Sequence, residues 1–98
     1  KPVSAVRVDA SLSERKLNFS TEIDVRGERL NDAIEKVTRY VDDAIMLNVS
    51  SVRIIHGKGT GVLRDELQKL LRTMPGVATA KDEHIQFGGS GVTIVTFD

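Results

Sequence analysis

Ser51-Val52-Arg53-Ile54-Ile55-His56-Gly57-Lys58-Gly59-Thr60-Gly61 is the stretch that decides the fold. Its first five residues are β-rich, and they run directly into a segment with glycine at every second position. Beyond it, Leu63, Leu67, Leu70, Leu71 and Met74 recur at helical spacing on one face, until Pro75-Gly76 stops the helix. The stretch is therefore a strand, a glycine turn and a helix in succession. Upstream, Ile23-Asp24-Val25-Arg26-Gly27 alternates apolar and polar with period two, which reads as a strand ended by Gly27. Leu30, Ala33, Ile34, Val37, Val41, Ala44 and Ile45 then mark an amphipathic helix of roughly four to five turns. Asn31 reads as its N-cap, Asp32 and Glu35 as first-turn acids, and Asn48 as its stop. Downstream, 77–87 holds a third strand, Gly88-Gly89-Ser90-Gly91 a turn, and 92–97 a fourth strand.

The order is βαβαββ. Strand–helix–strand crossovers in one sheet are right-handed and parallel, so three strands share a direction and the last returns antiparallel. Each helix carries a single apolar stripe. The expected fold is thus an α/β (α+β) two-layer sandwich, a mixed four-stranded sheet with two helices on one face. Residues 22–98 make this domain. Residues 1–21 mix charged residues with single apolar ones and read as a linker, disordered or partly extended at Val6-Arg7-Val8-Asp9. A chain of 98 residues makes one domain with one modest core and a shallow site.

Composition narrows the function classes. The 14 basic and 14 acidic residues cancel, which counts against a strongly basic nucleic-acid binder but leaves room for a small basic site. There is no cysteine, so disulfides and cysteine-based metal or redox sites are excluded, in keeping with a cytoplasmic location. No apolar run suits a membrane span, and Lys1-Pro2-Val3-Ser4 does not open a signal peptide.

Topology then locates the site. Arg26-Gly27 follows the first strand, His56 to Gly61 the second, and the 88–91 turn the third. If the crossovers are parallel, these loops meet at the carboxyl edge of the sheet, where open α/β sheets place ligands. The chemistry there suits phosphate. Gly57, Gly59 and Gly61 let backbone approach an anion, and the following helix points its free N–H groups at the loop. Lys58 adds a point charge and Arg26 a planar fork. A Walker A loop would need Gly-Lys-Ser/Thr after four spacer residues. A dinucleotide fingerprint would need glycine at Arg64. ATP and NAD are therefore disfavoured for this chain. His56 could act as general acid or base, and Asp24 could orient a water, orient His56 or hold a divalent metal. Asp82-Glu83-His84 looks like a metal cluster, but adjacent strand residues face opposite ways. Asp82, Glu83 and Arg53 read as solvated, His84 as a further edge candidate and Phe87 as a core strand residue.

Three motifs now become recognisable. Ile23-Asp24-Val25-Arg26-Gly27 resembles the Leu-Asp-x-Arg-Gly motif of the Smr family, with Ile for Leu. His56-Gly57-Lys58-Gly59-Thr60-Gly61 resembles its His-Gly-x-Gly-x-Gly motif, and Gly88-Gly89-Ser90-Gly91-Val92-Thr93 its third glycine-rich signature. The blend looks most like the C-terminal Smr domains of bacterial MutS2-like proteins. The resemblance implies a fold similar to the C-terminal domain of translation initiation factor three. It also implies endonuclease activity, typically nicking branched or duplex DNA, with related domains acting on RNA or at stalled ribosomes. Carried over, Asp24 and His56 are the catalytic candidates. The phosphate-binding candidates are Arg26, Gly57, Lys58, Gly59, Thr60, Gly61, Gly89 and Ser90. No cofactor is required by these residues. A magnesium or manganese ion at Asp24 remains an option, although one carboxylate does not suit a two-metal site. ATP binding and dimerisation would belong to an upstream core.

Two other readings compete with a DNA endonuclease. One is a non-catalytic module that positions DNA or a ribosome and would tolerate His56→Ala. The other is an RNA endonuclease acting in ribosome rescue. With four aromatic residues in the chain, recognition of backbone and shape is expected over sequence reading of single strands. Binding should then weaken as salt rises.

Overall fold

The computed structural model describes residues 18–98. The chain runs β1 (Glu22–Asp24), α1 (Leu30–Met46), β2 (Ser51–Ile55), α2 (Val62–Thr73), β3 (Val77–Asp82) and β4 (Val92–Phe97). The sheet order is β1-β2-β4-β3. β1 and β2 pair in parallel, and β4 enters between β2 and β3, antiparallel to both. β3 therefore runs in the same direction as β1 and β2, as the crossover rule requires. Register fixes where the strands end. Asp24 lies opposite Ile55, Ile55 opposite Val92, and Asp82 opposite Thr93. Three strand ends and one strand start thus lie at the same edge.

Both helices pack on one face of the sheet and share one core. α1 contributes Ala33, Val37, Val41 and Ala44, and α2 contributes Leu67 and Leu71. The strands answer with Val25, Val52, Ile54, Ala80 and Val95. Period two is visible in β2, where Val52 and Ile54 are buried and Arg53 and Ile55 lie half-buried on the other face.

Several local expectations change. Asn31 is not the N-cap. Ala33 N–H already donates to Arg29 O at 2.8 Å, which places Asn31 inside the first turn, and Arg29 caps with extended backbone and no side-chain bond. Glu35 consequently lies beyond the first turn and pairs with Arg39 one turn on, at 2.8 Å. Asn48 does stop α1, in the left-handed conformation at φ 59. β3 ends at Asp82. The chain then makes two 3-10 turns, Ile85–Phe87 and Gly89–Gly91, the first capped by His84 Nδ1 accepting from Gln86 N–H at 3.1 Å. Phe87 is therefore no core residue. It is 64% exposed and Ile85 82%, because both sit on this turn rather than on a strand.

The folded unit also reaches further back than residue 22. Phe19 stacks on Tyr40 with ring centroids 5.0 Å apart, and Tyr40 Oη donates to Ser20 O at 2.7 Å. Burial, helped by the Glu22 charge, pushes the Tyr40 hydroxyl up to about 12. The extended piece read at 6–9 lies outside the described residues.

Gly88 holds the turn before β4 at φ +126, and a Cβ there would lie 2.6 Å from Val92 Cγ2. Gly88→Ala should therefore destabilise the domain by about 2–4 kcal/mol, from strain plus overpacking. A urea unfolding curve checks this, and an unchanged midpoint would contradict the described turn.

Candidate functional site

The three loops meet at the carboxyl edge. Gly91 O accepts from His56 N–H at 3.1 Å and from Gly57 N–H at 2.9 Å, which ties the start of β4 to the end of β2. The approach is close. A Cβ on Gly91 would lie 3.3 Å from Lys58 Cγ and 3.5 Å from the Gly57 carbonyl carbon. From the other side, a Cβ on Gly57 would come 3.5 Å from Arg26 Cγ, so the stem of Arg26 lies over this loop. Beside this loop is a shallow hollow of about 240 Å³, lined by Gly27, Glu28 and residues 56–63.

The hollow lies at the N-terminus of α2. Gly61 caps that helix in the left-handed conformation at φ 86, with no side-chain hydrogen bond. The first-turn N–H groups keep no side-chain cap, an arrangement that suits an anion. Asp65, in the same turn, opposes one, but its Oδ1 already accepts from Arg64 at 2.8 Å. Lys58, Gly59 and Thr60 are exposed, and among the described residues no ion pair engages Lys58. Ser90 is exposed at the neighbouring turn, while Gly89 is buried and serves the turn's backbone.

Asp24 and Arg26 are locked to each other. Arg26 Nη2 donates to Asp24 Oδ2 at 2.6 Å and Arg26 Nε to Oδ1 at 2.9 Å, and the Arg26 backbone N–H adds a bond at 3.0 Å. The guanidinium hydrogen bonds, ahead of the backbone bond, hold the Asp24 carboxyl down at about 2. Asp24 does not orient His56. Its bonds go to Arg26, whereas His56 turns to the helix face of the sheet and is 4% exposed. There His56 Nε2 meets Thr93 Oγ1 at 2.7 Å and Nδ1 meets Gly57 O at 2.9 Å.

Thr93 leads to residues the sequence reading passed over. Gln68 Nε2 donates to Thr93 Oγ1 at 3.0 Å and to Asp82 Oδ1 at 2.9 Å. Arg64 Nε and Nη2 clamp Asp82 at 2.7 and 2.9 Å. Asp82 is thus a bonded anion rather than a solvated one, held below its ordinary range by Arg64 and then Gln68. Glu83 is not solvated either. It faces the opposite way, as strand alternation demands, and accepts from Arg53 Nε at 3.2 Å. Arg53 also donates to Glu22 Oε2 at 3.3 Å and Phe87 O at 3.0 Å, so it pins the exposed turn instead of standing in solvent. His84 caps that turn, with its ring 5.8 Å from Phe87. The acidic-histidine trio does not converge, and among the described residues no group of three metal-ligating side chains does. A signal for Gln68 and Thr93 was present. Gln68 falls four residues after Arg64 and three before buried Leu71, and Thr93 shares the inward face of β4 with Val95.

A larger groove of about 450 Å³ lies along α1, lined by Ile23, Glu28, Asp32, Glu35, Lys36 and Arg39. Its cations are held by its own acids, Lys36 by Glu28 at 2.6 Å and Arg39 by Glu35 at 2.8 Å. The smaller hollow at the sheet edge, with Lys58 open, is the better candidate. No helix among the described residues is long and apolar enough to cross a membrane.

Known proteins resemble this chain in sequence and in fold. The Smr domain model matches residues 23–98. Endonuclease MutS2 of Acetivibrio thermocellus is 51% identical over 78 residues, covering 80% of this chain and 10% of that protein. Endonuclease MutS2 of Geobacillus kaustophilus is 39% identical over 94 residues, covering 96% and 12%. The chain thus spans about a tenth of the length of these relatives. Among solved structures, the Smr domain of Thermus thermophilus MutS2 superposes with a TM-score of 0.77 at 36% identity, covering 80% of this chain and 98% of that one. YdaL, a stand-alone small MutS-related protein from Escherichia coli, shares the fold with a TM-score of 0.73 at 20% identity, covering 79% and 63%.

The Asp24–Arg26 pair makes a checkable statement about charge. A depressed carboxyl stays ionised until pH falls through its folded value, here about 2. Carboxyl-carbon NMR titration should find Asp24 charged at all mildly acidic pH. Arg26→Gln should return its midpoint toward 3.8, and an unmoved midpoint would show that the pair is not what lowers it.

Proposed function

Because this chain belongs to the Smr domain family, we propose that it is a nucleic-acid endonuclease module that hydrolyses phosphodiester bonds at the edge bearing Arg26 and Lys58. The observation that carries this reading is convergence. Lys58 and the start of α2 line one hollow of about 240 Å³, and the Arg26 stem lies against Gly57 beside it. The relatives' name, endonuclease MutS2, supports the same chemistry.

The geometry suggests an exchange of partners. A phosphodiester entering the hollow offers Arg26 a second anion with matching bidentate geometry. As Arg26 turns to the phosphate, Asp24 loses the bonds that hold its pKa near 2 and becomes a better proton acceptor. Asp24 then orients a water and takes its proton as the water oxygen bonds to phosphorus. The P–O ester bond breaks, and Lys58 stands where it can protonate the leaving oxygen. The loop N–H groups steady the charge that builds on the phosphoryl oxygens. The carboxylates near the hollow do not fit a resident divalent ion. Among the described residues no three metal-ligating side chains converge, and Glu28 is held by Lys36, so no step is routed through a metal.

The hollow is shallow and open, which suits a duplex backbone better than a threaded single strand. DNA, branched or duplex, is therefore the substrate we favour. Phe87 adds a preference. Its exposed ring stands on the turn that leads into Gly91, and a base freed from its stack can lie on such a face. ATP binding and dimerisation fall to other parts of the longer proteins that carry this domain.

A plasmid-nicking assay tests the reading, run with and without magnesium or manganese and beside a structured RNA. Wild type should nick the plasmid, and Asp24→Ala and Lys58→Ala should each lose about 100-fold or more while remaining folded. Cutting of RNA alone would move the substrate to RNA. Binding without cutting of either would make the domain a positioning module. In the same assay, Phe87→Ala should lower cutting of a branched DNA by several-fold and leave cutting of perfect duplex nearly unchanged. An equal loss on both would remove the stacking role.

A further inference from the structure

His56 is the residue whose type most invites a proton-transfer role, and its surroundings argue for a different one. The imidazole is buried, and both ring nitrogens are engaged. The hydrogens can be assigned from the network around it. Gly57 O can only accept, so Nδ1, at 2.9 Å, carries the proton. The amide of Gln68 is oriented twice over. Its Oε1 accepts from Arg72 Nη2 at 3.1 Å, and its Nε2 donates to the Asp82 carboxylate at 2.9 Å. The second Nε2 proton therefore goes to Thr93 Oγ1 at 3.0 Å. Having accepted there, the Thr93 hydroxyl turns its own proton to His56 Nε2 at 2.7 Å. Nε2 is the acceptor, and its lone pair faces the interior rather than the hollow.

We infer that His56 is a positioning residue, and that Gln68 and Thr93 are the partners that make it one. Together they form a buried polar strut. It begins at the Arg64–Asp82 ion pair, crosses Gln68 and Thr93, and ends in the imidazole N–H that holds the Gly57 carbonyl. No buried side-chain polar atom among the described residues is left without a partner, so the strut is complete. A satisfied network of this kind fixes one geometry, because any break leaves a buried polar group unpaired. Its fixed point is the carbonyl that opens the glycine loop. Through it, the strut sets the path of the glycine loop that carries Lys58 and the loop N–H groups. This inference rests on the proposed phosphate site for its purpose, but its geometry stands without it.

Two measurements test it. Long-range proton–nitrogen NMR of the 98-residue chain at neutral pH reads the imidazole directly. The expected result is a single form protonated at Nδ1. A form protonated at Nε2, or at both nitrogens, overturns the inference, and this readout needs neither a variant nor activity. Second, an asparagine amide can stand where Nδ1–H stands yet cannot take or deliver a proton at neutral pH. His56→Asn should therefore keep nicking activity within about tenfold of wild type, whereas His56→Ala should lose about 100-fold. Should His56→Asn be as inactive as His56→Ala while folded and binding DNA, His56 moves protons and the inference fails. Thr93→Val should broaden the Gly57–Gly61 amide signals, and Thr93→Ser should restore them. Unaltered loop signals in Thr93→Val would likewise overturn the strut. If wild type cuts nothing, the endonuclease reading fails by itself. The tautomer and the loop signals then decide the strut, with chemical-shift changes on adding a short DNA duplex replacing the activity readout for His56→Asn.

Discussion

The oxygen of Gly91 accepts two adjacent backbone N–H groups, those of His56 and Gly57, and most of the site follows from that one junction. It closes the gap between β2 and β4 beyond the last paired residues, Ile55 and Val92. It brings the first glycine of the loop within reach of the Arg26 stem on one side and sets Lys58 against Gly91 on the other. A Cβ at Gly91 would crowd the Lys58 stem, at 3.3 Å. The insertion of β4 between β2 and β3 is what delivers Gly91 to this place. A sheet with β4 at its margin would leave the second loop without this backing.

Much of the charge around the edge is arranged in closed pairs. Arg26 is matched by Asp24, Arg64 by Asp82 and Arg53 by Glu83, while Lys58 has no partner among the described residues. Exposed pairs of this kind contribute little to stability. Their effect is on local potential. Paired cations leave no broad basic surface, which explains how a chain of zero formal charge can still present a point of attraction for an anion.

The fold was legible because its signals are periodic. Val52 and Ile54 alternate with Arg53 and Ile55, Leu67 and Leu71 repeat at helical spacing, and Pro75-Gly76 breaks the pattern sharply. Converging glycine loops followed from strand direction alone. What sequence could not supply was partner choice. Nothing local says that His56 will turn under the sheet to meet Thr93, because that contact depends on which residues β4 brings alongside. Phe87 was misplaced for a related reason. An apolar residue after a strand looks like more strand until the chain is seen to turn at His84. Asn31 shows a limit of capping rules, since a good capping residue one step away from an apolar Leu30 was drawn into the helix.

The direction of the strands also governs how this domain can be carried. Phe19 to Thr21 reach the sheet where β1 begins, with Thr21 O bonded to Arg53 N–H at 2.8 Å, and β4 leaves the sheet at Phe97, bonded to Ser50 O at 3.2 Å. Both lie at the edge opposite the glycine loops. Anything attached through either segment therefore joins the domain about a strand length from the hollow. A load on the leading segment would pass first into the Phe19–Tyr40 stack and α1, leaving the loops at the far edge mechanically shielded.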